Sequence, residues 1–204
     1  EFDDIAQAYV TGMSELCALH GKTGVGESGE YLPSVVDRQV GLGVLGLANL
    51  LRRYGVTYEQ FGRALEQYNN GETVRSGAYE LVTQIDSGIK QAAEIAKFNN
   101  MVRAFAIAPT ASCSYRSVDL DGYTCTPEIA PPISQTVDRD SGTFGVQTYN
   151  YGPVEIASEV GWENYKRVAD GMMRLYEKTG LLHGYSFNTW SDQITYDEAF
   201  IQEW

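Results

Sequence analysis

Cysteine, histidine and basic side chains are all scarce in this chain, and each scarcity removes a class of function. There are 3 cysteines in 204 residues. Cys17, Cys113 and Cys125 are odd in number and show no Cys-x-x-Cys spacing, so neither a disulfide framework nor a zinc site is indicated and a reducing, cytoplasmic setting is expected. The 2 histidines, His20 and His183, have no recognisable nucleophile motif nearby, so both are expected to be structural. Lys and Arg total 15 against 27 Asp and Glu, a formal charge of -12. A nucleic-acid partner needs cations to displace its counterions, so none is expected, and a phosphorylated ligand must be caught locally against the overall field. No apolar run approaches the roughly 20 residues that span a bilayer, and no signal-peptide pattern opens the chain. A soluble protein without a membrane partner is therefore expected.

What is present is apolar content of 43%, ample for the core of one large domain. The most informative stretch is Ala104 to Ser114, Ala-Phe-Ala-Ile-Ala-Pro-Thr-Ala-Ser-Cys-Ser. Val102, Phe105 and Ile107 suit a buried strand, and Pro109, which has no N–H for a sheet ladder, stops it. Beyond the proline, Thr110, Ser112 and Ser114 bring hydroxyls and backbone amides to a loop tip, the equipment for holding a phosphate without lysine. A plain Ser/Thr-rich turn is the competing reading. Cys113 has no immediate Lys, Arg or His neighbour to favour the thiolate, and is expected to be a small, half-buried packing residue.

Helices are expected at Asp3–Leu19, then through the glycine-rich stretch ending at Gly55. Another follows the Thr57-Tyr58-Glu59-Gln60 capping box with Phe61, Ala64, Leu65 and Tyr68 on its apolar face. A longer one carries Val74, Ala78, Leu81, Ile85, Ala92 and Ile95. A helix from about Trp162 to Thr179 buries Trp162, Tyr165, Val168, Met172 and Leu175, with Gly180 as its stop. Tyr185 and Phe187 alternate across a short strand, and Thr195 to Glu198 starts a last helix. Asp119 to Gly122 lacks the ligand spacing of a calcium loop and reads as a surface turn. Thr126 to Pro132 is too rich in proline for regular structure and holds Glu128 in a fixed, extended loop. Arg139 to Thr143 reads as a polar connection, with Asn150, Gly152 and Pro153 continuing the irregular region.

Two glycine motifs invite nucleotide readings. Gly21-Lys22-Thr23 matches the end of a phosphate-binding P-loop, but Leu16 stands where its first glycine is required, so a flexible loop over Gly21–Gly29 is expected. Gly41-Leu42-Gly43-Val44-Leu45-Gly46 matches the dinucleotide fingerprint, which works only after a buried strand and with an acid about 20 residues later. The preceding Val35 to Val40 is too charged for a central parallel strand. A helix in which Val44, Leu47, Ala48 and Leu51 share a face is expected instead.

Three segments in order resemble the catalytic subunit of ribonucleotide reductase. Arg38 to Ala48 resembles the glycine-rich helix of that family, Ala108 to Ser114 its substrate-phosphate loop, and Thr126-Pro127-Glu128-Ile129 the Glu-containing segment that follows. The resemblance implies an α/β fold, part of a ten-stranded α/β barrel in which radical chemistry reduces ribonucleotides to deoxyribonucleotides. It places Pro109, Thr110, Ala111, Ser112, Cys113 and Ser114 at the substrate phosphates and Glu128 on the substrate side, with Cys113 where a hydroxyl residue is expected. The family's Asn-x-Cys-x-Glu finger loop, its radical-transfer tyrosines and its C-terminal cysteine pair have no counterpart here. The chain is therefore expected to be a single domain or fragment, residues 1–204, forming the second half of the barrel. It carries no metal or catalytic residue and binds no cofactor of its own. Its expected partners are a ribonucleoside di- or triphosphate, the remainder of the catalytic chain, and a radical source outside the segment, either a di-metal small subunit or adenosylcobalamin. The alternatives are a dinucleotide-binding oxidoreductase built on Gly41, Gly43 and Gly46, and a non-catalytic assembly half.

Overall fold

The computed structural model describes residues 3–22 and 32–189. The elements run α1 (Asp3–His20), β1 (Gln39–Leu42), α2 (Leu47–Tyr54), α3 (Tyr58–Asn69), α4 (Gly77–Phe98), β2 (Arg103–Ile107), a 3-10 turn (Cys113–Arg116), β3 (Thr136–Asp140), a second 3-10 turn (Gly142–Phe144), β4 (Val146–Asn150), α5 (Ala157–Val160), α6 (Trp162–Glu177) and β5 (Leu182–Tyr185). The helix expected from Thr195 and the loop residues from Thr23 to Gly29 lie outside the described residues. Among the described residues the fold is mixed α/β with two small sheets. Two compact units divide the chain: the first takes the residues up to Gly43, 64–107 and 171–185, the second 44–63, 108–170 and the chain from Ser186. Among the described residues no helix is long and apolar enough to cross a membrane.

The first unit is built on a parallel sheet of order β1-β2-β5. Apolar spacing makes β2 its middle strand, with Ala104, Phe105 and Ile107 buried. Val102 falls before the strand and is 63% exposed, contrary to expectation. The expected helix across Gly41 and Gly43 is also overturned. Gln39–Leu42 is a strand, registered Gln39 to Arg103 and Leu42 to Phe105, and α2 begins only after Gly46, which sits in the left-handed region at φ 83. An edge position tolerates the polar residues that seemed to forbid a strand, and a Cβ on Gly41 would stand 3.1 Å from Ala106 Cβ.

Helix α4 starts where the Ser76 hydroxyl accepts the Tyr79 amide at 3.1 Å, satisfying one of the first-turn donors. It buries Leu81, Val82, Ile85, Ile89, Ala92 and Ala96; of the expected face Ala78, Leu81, Ile85 and Ala92 are buried, whereas Ile95 is half-buried and Val74 lies before the helix. Helix α1 packs on α4 at Gly88, where a Cβ would fall 2.7 Å from the Tyr9 ring and 3.0 Å from Ala6 Cα. The Tyr9 hydroxyl meets that of Tyr176 at 2.9 Å, and the Tyr176 ring lies 5.1 Å from Phe105. The buried stripe of α1 is Tyr9, Met13 and Cys17; Ala8 is exposed, and Ile5 and Leu16 are half-buried.

In the second unit the capping box forms as its sequence predicts: Gln60 Oε1 accepts the Thr57 amide at 3.0 Å and Thr57 Oγ1 accepts the Gln60 amide at 3.1 Å. Tyr58 and Phe61 are fully buried behind it, and the Tyr58 hydroxyl donates to the Ile129 carbonyl at 2.7 Å. That carbonyl belongs to the proline-rich segment, which is irregular as expected but buried at Thr126, Glu128, Ile129 and Ala130. Such a segment has no ladder partner for its amides and needs side chains to supply them. Asn49, 4% exposed, does so: its Oδ1 accepts the Thr126 amide at 2.7 Å, and its Nδ2 donates to the Thr124 carbonyl at 3.1 Å and to Asp119 Oδ2 at 2.9 Å. Asn49→Ala is expected to lower the unfolding free energy by about 2–3 kcal/mol, since it orphans buried partners; urea unfolding measures it, and a loss within about 0.5 kcal/mol, the range of an ordinary surface change, would contradict it.

Asp119 to Gly122 is a turn, as expected, with Asp119 Oδ1 accepting the Asp121 and Tyr123 amides at 2.9 Å each. The polar connection expected at Arg139 to Thr143, with Asn150 in irregular chain, is a correction. Here β3 and β4 form an antiparallel hairpin from Thr136/Asn150 to Asp140/Val146. Both faces are exposed except at the Val137–Tyr149 pair, so no alternation of polar and apolar residues marks it. Helix α6 buries Tyr165, Val168, Met172 and Leu175, but Trp162 is half-buried. Phe187 lies beyond β5, which ends at Tyr185.

Candidate functional site

Pairing of β2 ends at Ile107, and Pro109 turns the chain into a loop. The Pro109 carbonyl accepts from Asn188 Nδ2 at 2.7 Å. Thr110 takes the left-handed conformation at φ 51, costly for a β-branched residue and therefore held by its surroundings. Two bonds hold it. Its carbonyl accepts the Ser114 amide at 3.0 Å, and its Oγ1 accepts the Glu128 amide at 2.9 Å. The bond from Ser114 closes a tight turn around Ala111, Ser112 and Cys113, which are all exposed and whose amides have no backbone partner among the described residues. Exposed backbone donors without an internal partner are available to an anion.

The loop corrects two expectations about side chains. Ser114 is fully buried, and its hydroxyl donates inward to the Ala111 carbonyl at 2.8 Å, so it buttresses the turn and does not stand at its tip. Cys113, expected to be half-buried, is exposed, and all three cysteines are free thiols. Behind the loop, Tyr115 stacks on Tyr149 with centroids 4.3 Å apart and planes at 9°. The Arg139 guanidinium lies 5.4 Å from the Tyr115 ring. Burial pushes the Tyr151 hydroxyl, which meets Ser114 and Tyr115, well above its ordinary range.

Glu128 completes the site. It is 4% exposed; Oε2 accepts the Ala108 amide at 3.0 Å, and Oε1 is buried with no hydrogen-bond partner among the described residues. Desolvation drives its carboxyl from 4.5 up to about 7, against the opposing pull of the Ala108 and Val44 amides. Ile129, next to it, also sits at positive φ, 65°, and the Ala130 amide folds back on the Glu128 carbonyl at 2.7 Å. The carboxyl thus grips the residue before Pro109, while the backbone of the same residue grips the one after.

The glycine fingerprint does follow a strand and open a helix, contrary to the expected context. Its chemistry is nonetheless spent: the Gly46 amide donates to the Thr126 carbonyl at 2.9 Å, and α2 runs on into α3 with no strand to deliver a ribose-binding acid. His20 Nε2 lies 2.6 Å from the Asp37 carbonyl, a structural contact. A groove of about 340 Å³ in the first unit is lined by Asp86, Lys90, Glu94, Lys97 and Lys178. Its lysines are engaged, Lys90 with Asp86 at 2.6 Å, Lys97 with Glu94 at 3.5 Å and Lys178 with Asn69 Oδ1 at 2.7 Å. No group of three or more His, Cys, Asp or Glu able to hold a metal ion lies among the described residues.

The sequence points to the loop and to Glu128 but not to Asn49 or to the Val44 and Ala108 amides that meet them. Their partners lie far along the chain, and no local pattern points to them. No protein-family model matches this chain, and no curated protein matches it either.

Proposed function

We propose that this chain supplies the substrate-phosphate-binding part of a ribonucleotide reductase catalytic subunit. One observation carries the reading: within the second unit the end of the first segment of the resemblance, Val44 to Ala48, meets the other two, all far apart in sequence. Glu128 bonds to Ala108 and Thr110 at 3.0 and 2.9 Å, and Gly46 bonds to Thr126 at 2.9 Å. In this reading the parallel strands β1, β2 and β5 are part of the ten-stranded barrel, and the loop after β2 receives the phosphates of a ribonucleoside di- or triphosphate. The amides of Ala111, Ser112 and Cys113 and the Ser112 hydroxyl donate to the phosphate oxygens. Neutral donors of this kind hold an anion in a chain of strongly negative charge because they act at contact distance. The thiyl-radical cysteine and the radical source, a di-metal partner subunit or adenosylcobalamin, belong to polypeptide or cofactor outside these residues. The chain alone then binds nucleotide without turning it over.

The test is a calorimetric titration of the chain, with the remainder of the catalytic chain present, against ribonucleoside di- and triphosphates. Thr110→Ala and Ser112→Ala together are expected to weaken binding roughly tenfold or more, the value of a lost hydrogen bond to a charged group together with a loosened turn. Unchanged affinity in a folded double variant would remove the loop from the site.

A further inference from the structure

The acid beneath the loop is oddly placed for a site that holds an anion. Glu128 is buried, bonds through Oε2 to the first residue of the loop segment and leaves Oε1 without a hydrogen-bond partner among the described residues. No lysine or arginine forms an ion pair with it among the described residues. Among the described residues no ion pair to Glu128 offsets a second negative charge arriving on the other side of Pro109 and Thr110. We propose that the Glu128 carboxyl takes up a proton when the loop takes up a phosphate, so that anion binding and protonation of this one side chain are linked. The inference rests on the phosphate reading of the loop and adds a regulatory property to it.

The physical basis is like-charge repulsion, in which an anion held by the loop pushes the buried carboxyl toward its neutral form. The neutral carboxyl keeps its carbonyl oxygen as acceptor for the Ala108 amide, so protonation removes the charge without dissolving the loop. Other titratable groups on the packed segments do not take this role. Tyr58 from α3, Tyr151 from the segment after β4 and Cys125 from Glu128's own segment are all pushed upward by burial, which keeps them protonated and uncharged. Val44 to Gly46 contribute no titratable side chain, and Cys113 is common to every variant compared.

The experiment follows the Glu128 carboxyl directly, by its carbon-13 shift across pH 5 to 9, in the wild-type chain with and without a saturating ribonucleoside diphosphate. The midpoint, near 7 in the free chain, is expected to rise by about one pH unit, a typical like-charge effect. In parallel, Glu128→Gln, neutral at every pH, is expected to bind the same diphosphate about as well as wild type at pH 5 and roughly tenfold more tightly at pH 9. The ligand's own titration cancels in that ratio. An unmoved midpoint with nucleotide bound overturns this inference alone. Failure of every chain to bind nucleotide overturns the phosphate reading, and the inference with it.

Discussion

Between pH 4.5 and about 7 the wild-type chain is expected to lose about 3 kcal/mol of folding stability that a Glu128→Gln chain keeps. The direction follows from where the proton sits. In the unfolded chain the carboxyl titrates near 4.5, whereas burial holds it up to about 7 in the fold. Within that window the folded chain binds a proton that the unfolded chain has released, so stability falls as pH rises and levels off above 7. The glutamine variant has no proton to lose. It still offers an oxygen to the Ala108 amide, and its unsatisfied amide hydrogens cost the same at every pH. The readout is therefore the difference between two pH profiles of urea unfolding, in which every other titrating group cancels. Parallel profiles would mean that Glu128 is stably ionised in the fold.

The second large effect is expected at Gly152. Its φ of 79° lies in the left-handed region, and a Cβ there would stand 2.7 to 2.9 Å from carbons of the Tyr123 ring. Gly152→Ala thus meets two penalties: about 1–2 kcal/mol for the backbone conformation and about 1–3 kcal/mol for overpacking against an aromatic ring. Gly142 separates them, since its φ is 64° but nothing lies within 4 Å of its Cβ position. Gly142→Ala is expected to cost only the backbone part. Equal losses in thermal or urea unfolding would mean that the Tyr123 ring moves aside freely.

Much of this fold is legible locally because its helices carry their own punctuation. Ser76 begins α4, the Thr57–Gln60 box begins α3, and Gly55 ends α2 at φ 63. The middle strand reads correctly because Ala104, Phe105 and Ile107 are covered on both faces. Strand β1 does not, because its partner lies across α2, α3 and α4 and an edge strand need not be apolar. The hairpin β3–β4 is invisible for a related reason: exposure on both faces removes the period of two on which strand assignment depends.

The candidate site divides along the same line. Pro109 announces the end of a strand, and the following small polar residues announce a turn. Whether each hydroxyl faces outward is a tertiary matter, and the sequence cannot distinguish Ser112 at the exposed tip from Ser114 turned inward to Ala111. The burial of Glu128 is set by Asn49 and Tyr58, which pin the segments on either side of it.

The order of strands in the parallel sheet has a consequence for biosynthesis. Strand β5 is translated long after its neighbour β2, yet the Leu181 carbonyl at its start accepts the Ala104 and Phe105 amides at 2.8 and 3.1 Å. At about 5–20 residues per second, the most apolar of the described strands leaves the ribosome and waits several seconds with one flank bare. A nascent chain in that condition offers an adhesive edge to its neighbours, so holding chaperones matter most for this protein in the interval before Leu181 emerges.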